Sequence, residues 1–342
     1  MTSISHDLLA ATDNSNPHPS PEKRGSQRPS TPIQSQSNLY VSEWEKAATV
    51  DDLAAIAIGA DKAGCFYIGV CDHTAIPERL VGTMGPVWYD TIATLGWLAA
   101  LTKRTRLLSH VLVLSQRHPL RAAKEFATVD KLSHGRLIAG IGAGHAKEEF
   151  DVLSGPSSFE RRGGATDEAI SALAKCLGEE AAAHQYLRWQ FSGMHIGPRA
   201  VQRPRPALWI GGSSPRALRR AAAYGDGWLP QGTPRRDLSG QIAQLKEMRQ
   251  ELRNGAPLDI GTIAEPLYVT ESNRQDPGWD VPNYVLVGGA EQIAESLGEL
   301  VAMGVNHLQV RFRVRSPQEF IEQTQRFGEL VAPQLNEFSV RR

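Results

Sequence analysis

The stretch Pro119–Gly144, PLRAAKEFATVDKLSHGRLIAGIGAG, decides the fold. Its first half predicts a helix over Pro119–Leu132 that opens on a proline, harmless near the first helical position because the missing amide has no intrahelical partner there. Its second half is a short apolar run, Arg136–Ile141, which ends in Gly-Ile-Gly-Ala-Gly. Helix, strand and glycine turn in that order are one unit of a parallel α/β fold.

Working outward, the same unit recurs. Upstream, a weak strand near Asn38–Val41 leads to a helix over Val50–Ala63 that stops at Gly64, a natural residue just past a helix end. A strand at Phe66–Val70 runs into Asp72-His73, and a helix at Tyr89–Leu101 leads to a strand at Thr105–Leu112. Downstream come a helix at Thr166–Leu177, a long excursion over His184–Pro206, and a strand at Ala207–Ile210 followed by Gly211-Gly212-Ser213. Helix Pro215–Tyr224, strand Gly227–Leu229 and helix Gln241–Asn254 continue the series. Strands Ile260–Val269 and Asn306–Arg313, with helices Glu291–Met303 and Pro317–Leu330, complete it, and Gln275–Asn283 reads as an inserted loop. Eight strands in a chain of 342 residues fit one TIM (β/α)₈ barrel of about 250 residues with insertions. A doubly wound open sheet stays an alternative at this point, since parallel strands alone do not prove closure.

Residues 1–36 differ in kind. They are rich in Ser, Pro, Asn and His, too poor in apolar residues to offset the entropy of ordering, and are predicted to form a disordered tail before a barrel domain over 37–342. Leu8–Ala11 is too short for the apolar core of a signal peptide. Lysine plus arginine and aspartate plus glutamate number 37 each. That balance argues against nucleic-acid or membrane-surface partners, which call for a basic excess. Cys65, Cys71 and Cys176 form no metal or redox spacing, and no run approaches the roughly 18 apolar residues of a membrane span. A cytoplasmic protein acting on a small molecule is the expectation.

In a barrel the reactive groups stand at the C-terminal ends of the strands. Read in order, those ends offer Asp72 and His73, then Ser109, His110 and Arg117-His118, then Gly142, Gly144 and His145 with Glu148 and Glu149 beyond. Gly211, Gly212 and Ser213 follow, and finally Arg311 and Arg313. A histidine at a strand end can carry protons near neutral pH, with an adjacent carboxylate to orient it; it can equally be part of a turn or cap. Gly140–Gly144 resembles a dinucleotide fingerprint only superficially, its third glycine falling one position early. Gly211-Gly212-Ser213 before a helix offers backbone N–H groups to an anion such as phosphate, or simply a turn that needs positive φ.

Taken together, these segments resemble the luciferase-like monooxygenase family, particularly its coenzyme F420 (deazaflavin) dependent oxidoreductases. The likeness runs from about Ser37 to Leu335. It is carried by Asp72-His73 with Pro77, Thr102–Leu107, His118-Pro119, Ala127–Ser133, Gly135-Arg136-Leu137, Gly140–Gly144 and Thr166-Asp167-Glu168. Trp209–Pro215, Tyr224–Trp228, Val287–Glu291 and Gly304–Leu308 extend it. The resemblance implies a TIM barrel with a flavin or deazaflavin across its mouth and a homodimer. It also implies a non-proline cis peptide at His110–Val111 behind the ring, phosphate on Gly211, Gly212 and Ser213, and close backbone approach at Gly142, Ala143 and Gly144. His73 matches the proton-transferring position of the deazaflavin members, with Asp72 beside it on the cofactor. His145 stands where many relatives hold Glu or Trp, and Gly289-Ala290 replaces a common Thr-Pro. F420-dependent hydride transfer is the favoured reading, with FMN-dependent oxygenation as the alternative. The cations Arg117, Arg121 and Lys124 suggest either contacts to the acidic tail of F420 or a solvated helix face. A metal-dependent barrel hydrolase stands third, since no HxH or HExxH is present.

Overall fold

Pro119–Leu132 shows how the elements arise. In the computed structural model, which describes residues 29–32, 41–178, 182–185, 187–272 and 277–340, this helix is capped by His118, whose ring nitrogen accepts from the amide of Leu120 at 3.2 Å. It buries Ala122, Ala123, Phe126, Ala127, Val129 and Asp130, the stripe that a 3.6-residue period presents to a sheet. Asp130 is fully buried because its carboxylate accepts from the amides of Val201 and Gln202, at 2.6 and 3.0 Å, and from the Gln202 side chain. Arg136 is equally committed. Its guanidinium donates to the carbonyls of Ala99, Thr102, Thr105 and Ser133 and to the Thr102 hydroxyl. Arg136 thus braces the N-terminal end of the barrel, at the opposite end from the strand C-termini.

The barrel strands are β1 (Pro29–Pro32), β2 (Tyr67–Val70), β3 (Arg106–Ser109), β4 (Leu137–Gly142), β5 (Ala207–Gly211), β6 (Gly227–Leu229), β7 (Asp259–Ile263) and β8 (His307–Gln309). All pairings among them are parallel, each strand with the next, and β8 pairs with β1 through Leu308 opposite Pro29. The ring is closed, which sets the open-sheet alternative aside. Beyond β3 the chain bulges at His110-Val111 and resumes as Leu112–Val113, which pairs with Ile141 and Gly142 of β4.

Several boundaries differ from the sequence expectation, among them the helix expected at Gln241–Asn254, which spans Arg235–Arg253. The first described strand is Pro29–Pro32, so the barrel begins inside the segment expected to be a disordered tail, and the strand expected at Asn38–Val41 lies, but for Val41, outside the described residues. Parallel pairing uses backbone groups, and a run of proline, serine and threonine with two missing amides carries no compositional mark of a strand. Residues 1–28 and 33–40 lie outside the described residues. The expected strand Ile260–Val269 is two. β7 ends at Ile263, and Leu267–Val269 pairs instead with Leu286–Gly288, the break falling at Ala264-Glu265-Pro266. Helix Thr166–Leu177 begins already at Ser158, running through Gly163-Gly164. The long excursion contains an antiparallel pair, Ala182–Gln185 with Gln190–Met194, and the loop expected at Gln275–Asn283 lies partly outside the described residues.

Two apolar clusters fill the molecule. The larger lies between strands and helices; the smaller, Tyr67, Leu108, Ile138, Ala207, Trp209 and Leu229, lies inside the barrel. Tyr67 and Trp209 meet edge to face at 5.6 Å between centroids, and Trp209 packs on His307 at 4.9 Å. With the interior plugged by these rings, open space remains at the C-terminal mouth.

Candidate active site

β2 delivers Asp72 and His73 to the mouth, and the two residues part company there. Each Asp72 oxygen receives two donors. Oδ1 accepts from the Thr91 hydroxyl at 2.9 Å and Arg117 Nη2 at 2.8 Å; Oδ2 accepts from the amide of Val113 at 2.8 Å and Arg117 Nη1 at 2.6 Å. Four donors exhaust a carboxylate's usual acceptor sites. Asp72 therefore fixes the loop after β2 to the segment after the β3 bulge, where the resemblance led to an expected cofactor contact. Arg117 is spent in the same pair, Arg121 pairs with Glu125 at 2.8 Å, and Lys124 donates to the Gly197 carbonyl.

His73 faces the other way. Its Nδ1 lies 3.1 Å from Glu149 Oε2, while Glu149 Oε1 accepts from the amides of Thr74 and Ala75 at 2.6 and 3.2 Å. Glu149 sits in the first turn of the helix Lys147–Ser154. Burial pushes its carboxyl upward, but the bonds from His73, Thr74 and Ala75 outweigh that and hold it below the ordinary glutamate value. An ionised Glu149 makes Nδ1 the donor, which leaves Nε2 as the basic nitrogen. The ring is also held by Trp88, edge to face at 4.9 Å, and by His145 at 5.3 Å. Burial, with some repulsion from His73, lowers the pKa of His145.

The floor is the β3 bulge. The His110–Val111 peptide is cis, as the family resemblance implies. A Cβ on Gly142 would collide with Val111 Cγ2, and one on Gly211 would stand 2.9 Å from Val111 Cγ1. These glycines make room for the Val111 side chain, a reason distinct from the close cofactor approach expected of Gly142 and the phosphate contact expected of Gly211. Gly144 needs its glycine for φ of +79° and for Phe150, 2.5 Å from a built Cβ. His110 is buried, and desolvation together with the charge of Arg311 lowers its pKa to about 4.

The far wall is the turn after β5. Ser213 Oγ donates to the Gln231 carbonyl at 3.0 Å and accepts from the Gln231 amide at 2.9 Å and from Thr233 Oγ1 at 2.6 Å. A hydroxyl so occupied has no capacity left for phosphate. Ser214 caps the following helix by accepting from the Ala217 amide at 3.2 Å. Two guanidinium groups that sequence reasoning missed stand over this corner. Arg162 stacks on Phe159 at 3.6 Å and donates to the Gly144 carbonyl at 3.1 Å; Arg220 pairs with Asp167 at 2.6 Å and donates to the Gly163 carbonyl at 3.0 Å.

One cavity of about 320 Å³ gathers all of this. Of the residues read from the strand ends and the resemblance, His73, Asp72, His110, Val111, Gly142, Ala143, Gly144, His145, Gly211, Gly212 and Ser213 line it, whereas Ser109, Arg117, His118, Glu148, Arg311 and Arg313 do not. Glu149, Arg162, Arg220 and Gln231 join them. The chemistry of the set suits a phosphorylated ring system, with an apolar bulge below, cations and a helix N-terminus at one end, and a carboxylate-backed histidine at the other. Among the described residues no three His, Cys, Asp or Glu side chains are placed to hold a metal, and no helix is long and apolar enough to cross a membrane.

Residues 30–276 match the family model described as luciferase-like monooxygenase. An uncharacterized protein of Mycobacterium tuberculosis is 28% identical over 185 residues, covering 53% of this chain and only 61% of that relative's length. An uncharacterized protein of Mycobacterium bovis is 27% identical over 233 residues, covering 63% of this chain and 79% of the relative. In three dimensions the chain is similar to monooxygenase RslO1 from Streptomyces bottropensis, with a TM-score of 0.73, 19% identity, and coverage of 90% of this chain and 99% of the other. It is also similar to the coenzyme F420 dependent tetrahydromethanopterin reductase from Methanopyrus kandleri, with a TM-score of 0.71, 16% identity, and coverage of 91% and 99%. At these identities the structural likeness is one of fold.

Proposed function

The chain belongs to the luciferase-like monooxygenase family, and from that premise we propose that it is an oxidoreductase using coenzyme F420, with His73 as the proton carrier. The observation that carries this reading is the His73–Glu149 pair on the wall of the cavity whose floor is Val111. When bound, the deazaflavin supplies a ring carbon that accepts or releases a hydride. The chain's own part is to bind, orient and move one proton. Val111 supports the ring position, and the corner formed by Gly212, Arg162 and Arg220 favours an anionic phosphate end.

Oxidation of an alcohol-like substrate removes a hydride and a proton. His73 Nε2 takes the proton, and ionised Glu149 on Nδ1 stabilises the imidazolium that results. In the reverse direction the same nitrogen returns it. Glu149 also fixes the ring through its bonds to the Thr74 and Ala75 amides, so that Nε2 keeps its direction. An FMN-dependent oxygenase is the alternative, since the monooxygenase and the F420-dependent reductase above share this scaffold.

Titration of the purified chain with F420 and FMN in parallel, followed by fluorescence, tests the cofactor. Tighter binding of F420 is expected; preference for FMN moves the protein to the oxygenase branch, and binding of neither overturns the cavity's assignment. With a substrate in hand, His73→Ala is expected to lower kcat by about 10²–10⁴, the range for a positioned acid or base, while leaving cofactor affinity within a few-fold. Unchanged turnover removes His73 from the mechanism. Glu149→Gln is expected to lower kcat less than His73→Ala does, because the ring loses its charged partner but keeps Nε2.

A further inference from the structure

A proton carrier works again only after its proton has left, and His73 has little direct access to water. Its side chain is 9% exposed. Glu149, on Nδ1, is more deeply buried, and its two oxygens are taken up by His73 and by the amides of Thr74 and Ala75. On another side stands Trp88, whose indole N–H does not titrate near neutral pH and donates to the Gly85 carbonyl at 3.1 Å. Asp72, next in the chain, is spent on Thr91, Val113 and Arg117.

The remaining neighbour is His145. Its ring meets that of His73 edge to face, with centroids 5.3 Å apart, a gap that a single water molecule bridges. Both residues line the cavity, but His145 is an exposed residue, in the turn that leads from β4 to the helix Lys147–Ser154. The charged groups around it are engaged elsewhere. Arg79 pairs with Glu148, Glu149 holds His73, and Arg162 donates to the carbonyls of Gly144 and Phe159. Among the described residues none shares a hydrogen bond with His145. A ring that titrates near neutral pH, touches a buried histidine on one side and solvent on the other, and has no structural partner is suited to hand protons on. Its lowered pKa, caused by burial of part of the ring and then by the charge of His73, keeps it neutral and able to accept at pH 7.

We propose that His145 is the proton exit of this site, a role that rests on His73 being the proton carrier. The proton on His73 Nε2 passes to a bridging water as that water gives one of its own to a ring nitrogen of His145, and His145 releases it to solvent. At each transfer one N–H or O–H bond breaks as the next forms, and nothing is oxidised or reduced. Reduction of a substrate runs the same path inward.

Nitrogen-15 NMR of the full chain, labelled at histidine and assigned through His73→Gln and His145→Gln, reads the rate at which the His73 ring exchanges its proton with water. The chain is saturated with F420 or FMN, whichever it binds, and is used alone should it bind neither. In the unaltered chain the rate is expected to be insensitive to buffer concentration. His145→Phe keeps a flat ring against His73 but removes the titrating nitrogens. In dilute buffer it is expected to slow the exchange at least about tenfold, and added imidazole is expected to restore it. An unchanged rate in His145→Phe overturns the proposal, as does a loss that imidazole leaves in place, which marks a structural role. The His73 nitrogen shifts report whether Nδ1 still holds its proton against Glu149; should His145→Phe disturb them, His145→Gln decides by the same criteria. Exchange that depends on His145 without binding of F420 or FMN leaves the exit standing and overturns the cofactor assignment. Cofactor binding with exchange indifferent to His145 does the reverse.

Discussion

At the scale of single residues, neighbours in sequence have opposite tasks. Asp72 is saturated by Thr91, Val113 and Arg117, whereas His73 turns to Glu149 on the wall of the cavity, where we propose that it carries a proton. The pair looked like one functional unit in the sequence because adjacency is visible there and hydrogen-bond saturation is not. Glu149 was visible as one of several rim acids, but its partner lies 76 positions away. Arg162 and Arg220 were missed for the same reason, since their places over Gly144 and Gly163 depend on how the helices pack. His110 gives a prediction at this scale. Its pKa of about 4 lies below the ordinary 6.5, so between those values the unfolded chain binds more protons than the folded one. Stability contributed by the neutral ring is intact above about pH 6.5 and falls as pH drops toward 4, by about 3 kcal/mol in all. Denaturant unfolding from pH 7 to pH 4 is expected to show that loss, and His110→Gln is expected to flatten it.

At the scale of elements, the β3 bulge and the glycines of β4 and β5 form one packed unit. Gly142 has ordinary backbone angles, so an alanine there is opposed only by Val111. Gly142→Ala is expected to destabilise by about 1–3 kcal/mol through overpacking. Val111→Ala removes the colliding methyl groups and leaves a Cβ 3.5 Å from the new one, an ordinary contact. The double variant is expected to recover most of the loss in a denaturation cycle; additive losses would show that Val111 is not the obstacle. Elements with strong local signals were legible. Pro119–Leu132, Pro215–Tyr224 and Gly227–Leu229 have the bounds that the sequence suggested, because proline, glycine and apolar period mark both ends. β1 carried no such signal, and the break after β7 depended on a second sheet partner that no local pattern reveals.

At the scale of the whole molecule, eight parallel strands close one ring, and the closure depends on a four-residue strand from a segment whose composition suggests no structure. A chain beginning at residue 37, where composition places the domain boundary, lacks that strand. It is expected to lose cooperative thermal unfolding in circular dichroism, whereas one beginning at Gly25 keeps the whole of β1 and is expected to retain it. The same seam has a meaning for synthesis. Pro29 pairs with Leu308, and 308 − 29 is 279 residues. At about 5–20 residues per second, the β8 side of β1 waits about 14–56 s on the ribosome before its partner exists. A strand edge left open in that interval is a template for nascent neighbours, and two prolines that donate no amide make it a poor one. The composition that hides β1 from a reader of the sequence hides it equally from other chains in the polysome.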